Sequence, residues 1–157
     1  MYEKKIIHRD IKTENFLIKY INKEKTKYII KLGDYGIGKI ISTSVSNIIS
    51  SGIKGSIETI APEILLEKTT IYESTVDIYS LGVILYQLSH NLNHPYEIKL
   101  VKLIREYDKH FENDDLNIKF DNSIKNENFK DLVSKMLKLK PQNRLKWKEY
   151  IDHPFFK

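Results

Sequence analysis

At 157 residues, 41% hydrophobic and 30% charged, the chain fits one globular domain able to bury roughly two-thirds of its unfolded surface, and its composition excludes disorder. The absence of cysteine excludes disulfides and thiolate chemistry, and no apolar run approaches the ~18 residues of a membrane span. The start, M-Y-E-K-K-I-I, lacks a signal peptide's apolar core, and the net charge of +5 comes from lysines interleaved with acids; a soluble cytoplasmic protein with neither membrane nor nucleic acid as partner is expected.

Residues 1–7 offer only a helix tail or a lead-in strand. H-R-D-I-K-T-E-N follows, from His8 to Asn15, and G-D-Y-G stands further on, from Gly33 to Gly36. Between them Phe16, Ile18 and Tyr20 alternate with Leu17, Lys19 and Ile21, and Tyr28 to Leu32 is a second β-rich run. A hairpin with a polar connection over residues 22–26 is predicted. The hairpin sets Asn15 before one strand and Asp34 after the other. Two acids, Asp10 and Asp34, then share a region with Lys12 and the amide of Asn15. Phosphoryl transfer calls for those groups: a carboxylate to orient the attacking hydroxyl, oxygen ligands for magnesium, and a cation for the transferred phosphate. Leu17, an apolar strand residue, is expected in the core.

The small, hydroxylated stretch from Ile41 to Ser56 reads as a loop. Ala61-Pro62-Glu63 opens a short helix to about Lys68. Ser74 is a candidate N-cap, with Asp77 three residues on completing a capping box. Val76, Ile78, Leu81, Val83, Ile84, Leu85 and Leu88 lie on nearly every face of the helix that follows, and a helix apolar all round must be buried. His90 and His94 are four apart, but Asn91 stands where a zinc-protease helix carries glutamate, so a helix end and loop are expected. Residues 97–108 are predicted helical and 111–128 irregular. Phe129, Leu132, Val133, Met136 and Leu137 recur at helical spacing, and Arg144 to Ile151 forms a last helix, halted by Pro154 with two aromatics docking on the core.

Taken as an ordered set, H-R-D-I-K-T-E-N, G-D-Y-G, A-P-E and K-P-Q-N-R resemble the motifs of the eukaryotic serine/threonine protein kinases, from the catalytic loop onward. The resemblance implies ATP and Mg2+ as cofactors and a protein with Ser or Thr as substrate. It casts Asp10 as acceptor of the hydroxyl proton and Lys12 as the γ-phosphate contact. Asn15 and Asp34 become the magnesium ligands, with Glu14 and Leu17 on the nucleotide side, Leu17 under the adenine ring. Arg9 becomes a partner for a phosphate on the loop, at about Ser50 or Ser51. Ser56 takes the place of a threonine that touches the catalytic acid and lysine, whereas Ile57 and Thr59 depart from the family's commoner proline and tyrosine, and Tyr35 from its phenylalanine. Glu63 pairs with Arg144 inside the lobe. Asp77 points at the backbone of His8 and Arg9, an alternative to its capping role.

The fold implied is mainly α with a small β-hairpin, a kinase-like C-lobe with the N-lobe absent. Its parts are the catalytic loop 8–15, magnesium loop 33–36, activation segment 34–63 and helical lobe 61–157. No Gly-rich phosphate loop, V-A-I-K strand or partner-glutamate helix is present in the sequence. Phosphate transfer is therefore expected once an N-lobe completes the domain. The alternative is an inactive, pseudokinase-like half-domain acting as a protein-binding module. Either way, apolar surface that the family buries is expected to be exposed, for an N-lobe or a partner protein to cover.

Overall fold

A computed structural model describes residues 7–34, 57–68, 73–96 and 100–157. Tyr35, Gly36, the loop with Ser50, Ser51 and Ser56, and residues 97–99 lie outside the described residues.

The alternating run folds as predicted. Strands β1 (Phe16–Tyr20) and β2 (Tyr28–Leu32) pair antiparallel, Phe16 opposite Leu32 and Tyr20 opposite Tyr28. Period-two alternation turns Ile18, Tyr20, Tyr28 and Ile30 to one face and Leu17, Ile21 and Ile29 to the other. All seven are 48–58% exposed. The core placement of Leu17 is thus corrected: its side chain is 58% exposed, because among the described residues the sheet has only these two strands.

The remainder is helical. Pro62, whose ring fixes a helical φ, starts α1 (Pro62–Leu65), shorter than the stretch to Lys68 that the sequence suggests. Helix α2 (Thr75–Ser89) is the central post: Val76, Ile78, Tyr79, Val83, Ile84 and Tyr86 are buried, while Leu88, at 64% exposed, departs from the pattern. Ser74 is helical itself, with φ −63°, and its side chain caps nothing, which corrects the capping-box reading. Helix α3 (Leu100–Phe111) ends about three residues later than expected. It lays Leu103, Tyr107 and Phe111 on the core. Helix α4 (Glu127–Met136) is capped by Asn126, whose side chain accepts from Phe129 N at 3.0 Å. It crosses α2 so closely at Gly82 that a Cβ there would stand 2.9 Å from the Met136 Cβ.

Helix α5 (Trp147–Ile151) starts later than Arg144, because that residue is extended and sends its side chain inward. Of the two terminal aromatics, Phe155 packs on Phe129 with ring centroids 5.5 Å apart, whereas Phe156 remains 50% exposed. Among the described residues, no helix is long and apolar enough to cross a membrane.

Candidate active site

The turn from His8 to Asn15 is built from below by one acid. Asp77, fully buried on the first turn of α2, accepts from His8 N at 2.7 Å and Arg9 N at 2.8 Å. Burial holds its carboxyl above the ordinary carboxylate range, and the two N–H donors pull it only partly back. Arg9 turns through a left-handed conformation, φ 67°, which aims both N–H groups at one carboxylate.

His8 is the second clamp. The Asp10 N–H points at its Nδ1 at 3.4 Å, so the proton sits on Nε2, which donates to the Gly33 carbonyl at 3.0 Å. Gly33 N in turn donates to the Asn15 carbonyl at 2.8 Å. The far end of the hairpin is therefore fastened to its near end at the level of the catalytic-loop motif.

Within this frame Lys12 Nζ lies 2.9 Å from Asp10 Oδ2. Asn15, buried in a 3-10 turn over Thr13–Asn15, donates its amide to the Asp10 carbonyl at 2.7 Å and to Asp10 Oδ2 at 3.2 Å. Because the NH2 group is used in this way, the carboxamide oxygen is left as the acceptor for a cation. Asp34 is exposed, with φ 50°, and follows Gly33, whose N–H is bonded to the Asn15 carbonyl. The sequence-predicted Asp10, Lys12 and Asn15 are thus in mutual contact. Glu14 is exposed and accepts from Thr13 Oγ1 at 3.0 Å, and Leu17 lies on the hairpin's open face against Gly33.

Carbonyl and carboxylate oxygens are the hard donors that suit magnesium, which is normally held by one or two carboxylates together with substrate phosphates rather than by a protein cage. The donor set fits that habit. Among the described residues no group of three His, Cys, Asp or Glu side chains forms a cage for a metal, and the His90–His94 spacing marks no zinc site. His90 stacks on Tyr86, ring centroids 3.7 Å apart, and accepts from Asp121 N at 3.1 Å.

Below the site Glu63 and Arg144 form a buried, two-pronged ion pair at 2.8 and 2.9 Å, 81 residues apart in sequence. Two further contacts escaped the sequence reading. Ser80 Oγ donates to the Thr59 carbonyl at 2.7 Å, and His94 Nε2 donates to the Glu58 carbonyl at 3.0 Å while its Nδ1 accepts from Tyr96 N. They fix the segment ahead of α1, and a single Ser or His in a helix or loop gives no periodic signal that would have revealed them.

With the helical lobe and the turn from His8 to Asn15 in view, the comparisons with known proteins define the class. The profile described as "Protein kinase domain" matches residues 1–156, and the chain belongs to that family. Among its relatives are the probable serine/threonine-protein kinase nek3 of Dictyostelium discoideum, 30% identical over 96% of this chain and 12% of its own length, and the serine/threonine-protein kinase TIO of Arabidopsis thaliana, 33% identical over 100% and 11%. The putative serine/threonine-protein kinase R517/R518 of Acanthamoeba polyphaga mimivirus is 36% identical over 96% of this chain and 34% of its own. The chain therefore spans about a third or less of the length of these relatives.

Proposed function

We propose that this chain is the large lobe of a serine/threonine protein kinase, transferring phosphate to a protein hydroxyl when an N-lobe completes the nucleotide cleft. The observation that carries the reading is the Asp10–Lys12–Asn15 contact, held on a turn that Asp77 and His8 fasten from below. Bound magnesium-ATP supplies the transferable phosphoryl group and a cation that neutralises charge on its oxygens. Asp10 orients the Ser or Thr hydroxyl of the substrate and receives its proton. Lys12, which rests on Asp10 in this structure, turns its ammonium to the γ-phosphate. Asn15, through its carboxamide oxygen, and Asp34, through its carboxylate, are the magnesium ligands. Glu14 and Leu17 border the nucleotide, the exposed Leu17 methyls serving as an apolar seat for the base. Residues 34–63 act as the activation segment leading to α1.

The test is Asp10→Asn in the protein completed by its N-lobe. Transfer of labelled γ-phosphate to a Ser/Thr protein is expected to fall by several orders of magnitude with the melting temperature little changed. Undiminished turnover rejects the assignment. A parallel nucleotide titration separates the binding-module alternative, which requires a tightly held protein partner and no magnesium-dependent ATP binding.

A further inference from the structure

The far end of α2 opens on a hollow of its own, about 20 Å along the helix from Asp77 at ~1.5 Å per residue. It is a cavity of about 700 Å3, a size that takes a small molecule, lined by Tyr86 and His90 of the helix and by Asn91, Asn93 and Asn117. The helix is left through two successive left-handed residues, Asn91 at φ 52° and Leu92 at φ 66°, and the returning Pro95 and Tyr96 wall the same space. Across it, the stretch that follows α3 is fastened to the helix by two bonds. The Tyr86 hydroxyl donates to the Lys119 carbonyl at 2.5 Å, and Asp121 N donates to His90 Nε2 at 3.1 Å.

The His90 ring is fixed in its plane and on one face. Because Nε2 accepts from Asp121, the proton sits on Nδ1, which faces the Tyr86 carbonyl at 3.0 Å and Ser89 Oγ at 2.8 Å. One face lies on the Tyr86 ring, with centroids 3.7 Å apart and planes within 4° of parallel. Phe120 stands 5.8 Å from Tyr86 and 5.9 Å from His90; being equidistant, it flanks the edge of the stacked pair and covers neither outer face. Tyr86 is 5% exposed and His90 half-buried, so the imidazole is the outer ring. What it presents to the cavity is its second face.

Around that face the carboxamides of Asn91, Asn93 and Asn117 are exposed and make no hydrogen bond among the described residues. Among the residues that line the cavity, only Lys119 and Asp121 carry formal charge, one of each sign, and His90 is neutral as bonded.

We infer that this cavity binds a neutral, planar nitrogen heterocycle with a donor and an acceptor side by side on its edge, a nucleobase as carried by a nucleoside. A flat ring held in place takes such a base by stacking. A carboxamide offers one acceptor beside two donors, and asparagine meets the edge of adenine two-pronged in this way. A hydrocarbon ring would stack but leave the carboxamides unmatched, and a sugar would match them without a flat face. The balanced lining gives a phosphate no advantage. The site lies at the opposite end of α2 from the catalytic turn, and it does not depend on the kinase reading.

The experiment titrates adenosine to millimolar concentration into the isotope-labelled chain and follows amide chemical shifts. Saturable shifts are expected at Asp121 N–H and at the side-chain amides of Asn93 and Asn117, and the Gly33 amide reports separately on any binding at the hairpin. The double variant Asn93→Ala, Asn117→Ala alters exposed side chains only and is expected to weaken binding about tenfold with an unchanged melting temperature. His90→Ala is expected to cost roughly tenfold or more, whereas His90→Phe, which restores a flat face, stays within about threefold of the parent. Benzyl alcohol and methyl glucoside, each lacking half of the match, are expected to bind about tenfold more weakly or worse, and adenosine monophosphate no more tightly than adenosine. Shifts confined to Gly33, no shifts at all, undiminished affinity in the double variant, or a glucoside or benzyl alcohol that binds as well as adenosine, each overturns the inference.

Discussion

Truncating Glu63 to alanine tests the framework under the site. Arg144 is buried with its side chain at 0% exposure, and all five of its N–H groups are used. Nε donates to the Lys138 carbonyl, Nη1 to Glu63 and the Thr75 carbonyl, and Nη2 to Glu63 and the Leu139 carbonyl. Glu63→Ala removes two of those acceptors together with the only formal counter-charge in the set. The guanidinium is left desolvated against three carbonyls. Breaking a buried pair in this way costs about 3–5 kcal/mol, a large part of the roughly 5–15 kcal/mol that holds a domain folded. For a chain of this size each kcal/mol corresponds to about 2–4 °C, so the melting temperature is expected to fall by roughly 6–20 °C. Urea unfolding followed by circular dichroism gives the free energy. The double variant Glu63→Leu, Arg144→Met removes both charges and is expected to recover most of the loss. A loss below about 1 kcal/mol in Glu63→Ala, or a double variant worse than the single one, would refute the reasoning.

Asp77→Asn keeps the shape but presents an NH2 group to one of two backbone donors, so either His8 N or Arg9 N is left unpaired, at about 1–3 kcal/mol. Amide exchange at His8 and Arg9 is expected to quicken while the middle of α2 stays protected; equal protection in both proteins counts against the clamp. His94 gives a pH dependence: burial lowers its pKa from 6.5, with the bond to Glu58 opposing. The unfolded chain therefore takes up the proton first, and the contribution is complete above pH 6.5 and lost as the pH falls towards the folded value. His94→Gln is expected to flatten the slope of stability with pH below 6.5, and parallel slopes would exclude the site. Gly82→Ala gains up to ~1 kcal/mol of helix propensity, but its Cβ would stand 2.9 Å from Met136 Cβ and 3.1 Å from Leu137 Cδ2. Overpacking at ~1–3 kcal/mol outweighs the gain, so a lower melting temperature is expected, and a higher one would show that α4 yields freely.

Periodicity carried most of the fold. An all-round apolar helix has one solution, burial, and α2 takes it; alternation over 16–21 and the β-rich run 28–32 gave the hairpin, with the first strand ending one residue earlier, at Tyr20. Local pattern was silent where two partners compete for one group. Ser74 and Asp77 have capping-box spacing, yet the Asp77 carboxylate goes to His8 and Arg9, which lie 69 and 68 residues away. The start of α5 was misplaced for a similar reason. Arg144 has good helix propensity, but its side chain reaches buried acceptors only from an extended backbone, and Glu149 then caps the helix by accepting from Lys146 N. Within the candidate site, the closeness of Asp10, Lys12 and Asn15 was legible from their spacing along one turn. His8 as a clamp was not, since its partner Gly33 lies across the hairpin.

The same hairpin sets the condition under which the site keeps its shape. Two five-residue strands are at best marginally stable alone in water, and here seven of the hairpin's large apolar side chains face solvent, with Phe16 and Leu32 half-buried. Asn15 stands immediately before β1, and Asp34 two residues after β2. The bonds that bring their backbones together, Gly33 N to Asn15 and His8 Nε2 to Gly33, close the hairpin's open end. Separation of the strands would draw those bonds, and with them the two oxygen donors, apart. Burial of either apolar face, at ~25 cal/mol per Å2, favours the paired hairpin and hence the assembled donor pair. The helical lobe fixes Asp10 from below through Asp77, and Asn15 is bonded to Asp10; on the proposed reading, the approach of Asp34 to Asn15 for a shared cation therefore depends on what lies on the hairpin.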